Sequence, residues 1–230
     1  MKTLGILGGV GPQTTSKVYL SVIERIRAGK DTNYPPIVIY NLPFPFAIEA
    51  EAIIQGVNSE KMIPYLVDGA KILEKSGASF GILPCNTLHK YMGEICESVK
   101  IPFLSILNET ANELERLNIK TVGILATKTT VESDIYGEVL RKRGIDIFYP
   151  SKSEQNDISG IIVELISGNE DDIHSNKIQS ICNSLKDRGA TGILLACTDL
   201  QLVISNVKSP VPIIDTTEVL IQATVRELTG

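Results

Sequence analysis

The chain has 230 residues, 43% hydrophobic and 21% charged, enough to bury a sizeable core in one large domain or two lobes. A net charge of -5 offers no basic field to nucleic acid or an anionic membrane, and no Lys/Arg cluster is interleaved with aromatics. No run approaches the roughly 18 apolar residues of a membrane span, and the glycine-broken run Leu4 to Val10 lacks a signal-peptide cleavage pattern, so a cytoplasmic, soluble protein is expected.

In chain order, the hydrophobic pattern predicts strands at Thr3–Leu7, Ile37–Tyr40, Phe80–Leu83, Thr121–Leu125, Asp146–Phe148, Gly192–Leu195 and Pro212–Ile214. Helical patterns fall between them at Thr14–Ala28, Ser59–Lys75, Asn108–Leu117, Val131–Arg143 and Ile178–Arg188, with a last helix over Thr217–Leu228. Near-continuous apolar strands alternating with amphipathic helices mean parallel sheets covered on both faces, an α/β fold.

The chain also repeats itself. "KTLGIL" at residues 2–7 returns as "KTVGIL" at 120–125. "GASFGILPCNT" from Gly77 aligns without a gap to "GATGILLACTD" from Gly189, an offset of 112 residues that carries Cys85 onto Cys197. "KIPFLSI" and "PVPIIDT" then follow in corresponding places. These repeats predict two pseudo-symmetric lobes from an internal duplication. Residues 1–107 plus 216–230 form the first lobe, 108–215 the second, and the final helix crosses back to the first.

Four cysteines occur with no C-x-x-C pair. Cys85 and His89 are four apart and could share a metal on a helical turn, but without a second pair nearby no metal site is expected. Cys96 and Cys182 each fall on an apolar i, i+3, i+4, i+7 stripe, with Met92, Ile95 and Val99 and with Ile178, Ile181 and Leu185, and read as small core residues.

Cys85 and Cys197 differ: each ends an apolar strand just before a predicted helix, where open parallel sheets bind ligands. Free N–H groups and the positive end of a helix dipole should lower a thiol's pKa there. Asn86, Thr87 and Thr198 add donors suited to a small anion such as a carboxylate. Two lobes facing about an approximate two-fold axis would bring both thiols to one cleft. One thiolate could then remove a proton from a carbon while the other thiol returns one to the opposite face, inverting that carbon. The plain alternative is that duplication copied a buried small residue.

Gly9-Val10-Gly11 imitates a dinucleotide fingerprint, but Thr14 stands at the third glycine and Asn41 follows the second strand where an acid belongs. A tight substrate-facing turn, with Val10 against the substrate, is the better reading.

"GGVGPQTT", "PCNTLH" and "ACTDL", in that order and spacing, resemble the aspartate/glutamate racemase family, most closely its aspartate racemase branch, over essentially the whole chain. The resemblance implies racemisation without pyridoxal phosphate or another cofactor, by Cys85 and Cys197 as the two acid/base groups. It implies that Asn86, Thr87 and Thr198 hold the amino and carboxylate groups of an amino-acid substrate, that Thr127 and Lys128 form a third loop, and that the protein is often a homodimer. His89 matches the family's histidine after the first motif, with a packing or orienting role expected. Asp199 stands where relatives usually have Glu, either as a first-turn helix acid or orienting Cys197.

Members acting on acidic amino acids usually carry an Arg after the second strand and a Lys in the second lobe. This chain has no Lys or Arg between Asp31 and Glu60, nor from Ser153 to Asn176, and Phe44 and Phe46 make the "NLPFPF" loop apolar. Weak or no activity on L-aspartate is therefore expected unless Lys128 or another cation reaches the distal carboxylate. Rival readings are another enzyme of the superfamily (hydantoin racemase, maleate isomerase or malonate decarboxylase type), a non-catalytic amino-acid binding protein, and a redox switch joining the two thiols.

Overall fold

The computed structural model describes residues 2–29, 33–49, 51–52, 56–166, 168–169 and 171–230. The chain divides into two compact units, Met1–Glu109 with Thr217–Gly230, and Thr110–Thr216.

The first unit runs β1 (Leu4–Gly8), α1 (Pro12–Ala28), β2 (Ile37–Asn41), α2 (Phe46–Glu49), a 3₁₀ turn Ser59–Met62 and α3 (Ile63–Lys75). It continues through β3 (Phe80–Ile82), a second 3₁₀ turn Thr87–Tyr91, α4 (Met92–Ser98), β4 (Phe103–Leu104) and α5 (Ile106–Arg116). Its four parallel strands are ordered β2-β1-β3-β4. The second unit holds β5 (Thr121–Ala126), α6 (Lys128–Glu132), α7 (Ile135–Arg141), β6 (Asp146–Phe148), α8 (Lys152–Ile166) and α9 (Asp172–Asp187). It ends with β7 (Gly192–Ala196), α10 (Gln201–Ile204) and β8 (Ile213–Asp215), after which α11 (Thr216–Thr229) returns to the first unit. Its strands, again all parallel, are ordered β6-β5-β7-β8. The expected α/β fold with two parallel sheets flanked by helices is thus present, and both sheets have one topology.

The duplication reaches individual contacts. Leu73 of α3 and Leu185 of α9 are 112 residues apart, and each lies over a strand glycine, Gly5 of β1 and Gly123 of β5. A Cβ on Gly5 would come within 3.3 Å of Leu73, and one on Gly123 within 2.9 Å of Leu185, so glycine is what lets each helix sit this close. Both helices then stop the same way. Gly77 and Gly189 take positive φ (87° and 110°) just past the helix end. The next residues, Ala78 and Ala190, donate back to Leu73 O and Leu185 O at 3.1 Å, closing equivalent Schellman-type ends.

Two expectations need correcting, and α8 is an addition to the elements read from sequence. The helix expected over Val131–Arg143 breaks into α6 and α7, because Asp134 turns left-handed (φ 51°) between them. The 15-residue α8 was not expected, its "GIIVELI" segment having the β-branched character of a strand. Cys96 is exposed, not part of the core: the seven-residue α4 buries Ile95 and ends before Val99, so the stripe lacks the turns it needs. Cys182 is fully buried in α9, as its stripe implied. Among the described residues no helix is long and apolar enough to cross a membrane.

Candidate active site

In the first unit, β1 ends in a turn where Gly9 and Gly11 both take positive φ, 97° and 72°. A Cβ on Gly9 would meet Leu42 N at 2.6 Å, so only glycine lets this turn lie against the loop after β2. Thr15 of α1 seals the turn by accepting the Gly9 N–H at 3.1 Å. Val10 is buried in the apolar cluster that also contains Leu42 and Cys85. The loop after β2 carries Phe44, edge-on to Tyr65 at 5.2 Å, and leads into α2, which opens with Phe46, the most exposed large apolar side chain described, at 88%.

The strand β3 has neighbours on both sides and passes at its carboxyl end into Leu83-Pro84-Cys85, where Cys85 N–H donates to Leu83 O at 2.8 Å in a tight turn. Cys85, Asn86, Thr87 and His89 follow one another into the core, all at or below 9% exposure. His89 reaches back to Cys85 O with Nδ1 at 2.7 Å and takes the Ile106 N–H on Nε2 at 3.1 Å. Burial lowers its pKa to about 4, the Cys85 carbonyl opposing only in part, so the ring is neutral near pH 7. An orienting role, not proton transfer, is what this geometry supports. Lys90, the cation nearest these residues in sequence, donates to Ser59 Oγ at 2.9 Å and lies over the Tyr91 ring.

In the second unit, Thr127 caps α6: its hydroxyl accepts the Thr130 N–H at 3.2 Å and the residue is buried. Lys128 is on the exposed face of α6, 3.6 Å from Glu132. Gln155 of α8, which the sequence did not single out, is buried and donates to Ala126 O at the end of β5. Cys197 directly follows β7 and is 5% exposed, with half-buried Thr198 and Asp199 after it. Its thiol donates to Asp199 Oδ2 at 3.7 Å.

For Cys197 the expectation of a lowered thiol pKa fails. Burial pushes the Cys197 thiol well above its ordinary value, and the Asp199 charge adds to that. The N–H groups of Asp199 and Leu200 act in the expected direction but lose to burial, because α10 is a single turn that starts four residues beyond the thiol. Burial also raises the Asp199 carboxyl, against the hydrogen bond from Cys197. Gln201 then ties this loop to β8 by donating to both Asp215 oxygens at 2.9 and 2.7 Å. Behind it, Thr216 donates to Leu195 O at 3.0 Å, and burial raises the pKa of Tyr136 beside Thr110 and Thr216. Gln201 could have been found from sequence: the 112-residue offset carries His89 onto it.

Each unit therefore sets a buried thiol just past an inner strand of its sheet, among side-chain hydroxyls, an amide or a carboxyl. This pairing of fold and motif belongs to a family of racemases. A sequence model described as Asp/Glu/Hydantoin racemase matches residues 7–224, and the chain belongs to that family. It is 33% identical over 229 residues to the broad specificity amino-acid racemase RacX of Bacillus subtilis (strain 168), covering 96% of each. An aspartate racemase homologue from Pyrococcus horikoshii OT3 superposes with a TM-score of 0.83 at 28% identity, covering 100% of both chains. The Picrophilus torridus aspartate racemase gives 0.80 at 28% identity, over 99% of this chain and 94% of that one. Among the described residues no group of three or more His, Cys, Asp or Glu side chains could hold a metal ion.

Proposed function

We propose that the protein is a cofactor-independent amino-acid racemase in which Cys85 and Cys197 serve opposite faces of one substrate α-carbon. The observation that carries this reading is the repeat of a thiol at the same place in two sheets of one topology, since binding alone needs neither sulfur. One cysteine, as thiolate, takes the α-proton and becomes a thiol. The carbanion takes a proton from the opposite thiol, which becomes the thiolate, so charge and protons balance and the configuration inverts. The raised pKa of Cys197 suits it to start as the proton donor. Asn86, Thr87, Thr198, Val10 and the Thr127–Lys128 loop contact the substrate in this reading, and the protein works as a cytoplasmic homodimer.

The substrate's side chain carries no carboxylate. The loop after β2 presents Phe44 and Phe46 and no cation, Lys90 is engaged with Ser59 and Tyr91, and Lys128 is paired with Glu132. Similarity to a broad-specificity racemase agrees with a pocket that does not select an acidic group. The test is α-proton exchange in deuterated water over all standard amino acids, with chiral analysis. Racemisation of neutral or basic amino acids, lost by two or more orders of magnitude in Cys85→Ser and in Cys197→Ser, is expected. Tight binding without exchange of either enantiomer would instead make the protein a binder.

A further inference from the structure

His89 has two fixed partners of different kinds. Nε2 faces the Ile106 backbone N–H at 3.1 Å, a group that can only donate, so Nε2 must offer its lone pair. Nδ1 lies 2.7 Å from the Cys85 carbonyl, which can only accept, so Nδ1 must carry the hydrogen. Chemistry thus fixes the tautomer as neutral Nδ1–H, because an imidazolium would aim a second N–H at the Ile106 donor. The ring is 3% exposed, and burial independently disfavours its charged form.

The two arms span a defined gap. One holds the Cys85 peptide at the end of β3; the other holds the first residue of α5, just beyond β4. The duplicated half supplies an independent parallel. The 112-residue offset carries His89 onto Gln201, and Gln201 ties the loop after Cys197 to Asp215 at the end of β8. Matching "KIPFLSI" with "PVPIIDT" sets Ser105 opposite Asp215 and Ile106 opposite Thr216, so the two braces reach adjacent positions where the last strand of each sheet passes into the next helix. Two unlike side chains making one connection in two copies of the fold points to a need for the connection itself.

We propose that His89 is a positioning residue of the reaction: its Nδ1–H arm, anchored through Nε2 to α5, fixes the Cys85 peptide and so the direction of the Cys85 thiol. This rests on the reading that Cys85 transfers a proton. An asparagine amide can donate where Nδ1 does, and a glutamine carbonyl can accept where Nε2 does, so His89→Asn keeps the Cys85 arm and His89→Gln keeps only the Ile106 arm. Enantiomer-resolved α-proton exchange reads the difference, with the enantiomer that Cys85 serves identified as the one still exchanged by Cys197→Ser.

In His89→Gln, exchange of that enantiomer should fall about tenfold to a hundredfold, with the other enantiomer and KM within about threefold. His89→Asn keeps the Cys85 arm without its anchor to α5, so its rate for that enantiomer should fall between those of the unmodified protein and His89→Gln. Equal slowing of both enantiomers in both variants, in step with lost thermal stability, would mean that His89 is merely a packed side chain and would overturn the proposal. A second measurement does not depend on the reaction: ¹⁵N correlation spectra of the unmodified protein should show His89 protonated at Nδ1 only, unchanged from about pH 5 to 8. An Nε2–H tautomer or a titration in that range would overturn the brace itself. Wild-type exchange in Cys85→Ser would overturn the two-thiol reading and the positioning role with it, leaving the spectra as evidence for the tautomer alone.

Discussion

Cys85 and Cys197 end equivalent strands and are held differently. The Cys85 loop is fixed through its own carbonyl by a neutral histidine, whereas the Cys197 sulfur itself touches a carboxyl, Asp199. Two residues past the thiol, the offset sets Thr87 opposite Asp199; four residues past, it sets His89 opposite Gln201. The backbone plan was kept, and the chemistry beside each sulfur was allowed to drift. Buried and beside an acid, Cys197 is biased to the thiol form, so the two thiols need not be interchangeable.

The largest effect expected of this asymmetry is on stability in acid. The unfolded chain binds a proton at His89 below about pH 6.5, while the native ring resists protonation down to about 4. Between those values the unfolded state binds more protons, so stability rises with pH and falls on acidification, by up to about 3 kcal/mol at the lower end. Denaturant titrations at pH 7 and pH 4.5 should show this fall, and His89→Gln should lessen it. An equal fall in that variant would assign the effect to other groups.

Next come the paired glycines. Gly123→Ala would press on Leu185 and Ile193 at 2.9 Å, and Gly5→Ala on Ala78 at 3.0 Å. Each should cost about 1–3 kcal/mol in chemical denaturation, Gly123→Ala the more, because over-packing forces neighbours to shift. A neutral result at both would mean that the repeated helix-to-strand approach is not close.

Asp199→Asn removes the charge that, after burial, raises Cys197. In the direction where Cys197 donates, the alkaline limb of kcat/KM should move to lower pH, while a limb governed by Cys85 stays in place. An unmoved limb would mean that Asp199 does not tune the thiol. The smallest effect on stability belongs to Lys128→Ala, whose exposed pair with Glu132 contributes at most about 0.5 kcal/mol. L-aspartate should be a poor substrate before and after this change, and efficient aspartate turnover unimpaired in Lys128→Ala would show that the chain finds its cation elsewhere.

Much of this was legible in the sequence because duplication writes itself twice. "GILPCNT" and "GILLACTD" locate both strand ends, and Gly77 with Gly189 mark both helix stops. What stayed hidden depends on burial and on short irregular elements. The raised pKa of Cys197 follows from its depth and from a helix too short to reach it. The tautomer of His89 needs the Ile106 N–H, 17 residues away in sequence, and Cys96 was misplaced because an apolar stripe does not reveal how soon its helix ends.

The most direct test of the central claim is enantiomer-resolved exchange in the two single variants. Serine is far less acidic than cysteine, so each variant loses one acid/base group and should lose racemisation by orders of magnitude. One working thiolate can still abstract from its own face. Cys85→Ser and Cys197→Ser should therefore each keep slow α-proton exchange with one enantiomer only, and with opposite enantiomers. Wild-type-like racemisation in either variant, or retention of the same enantiomer by both, would contradict the account.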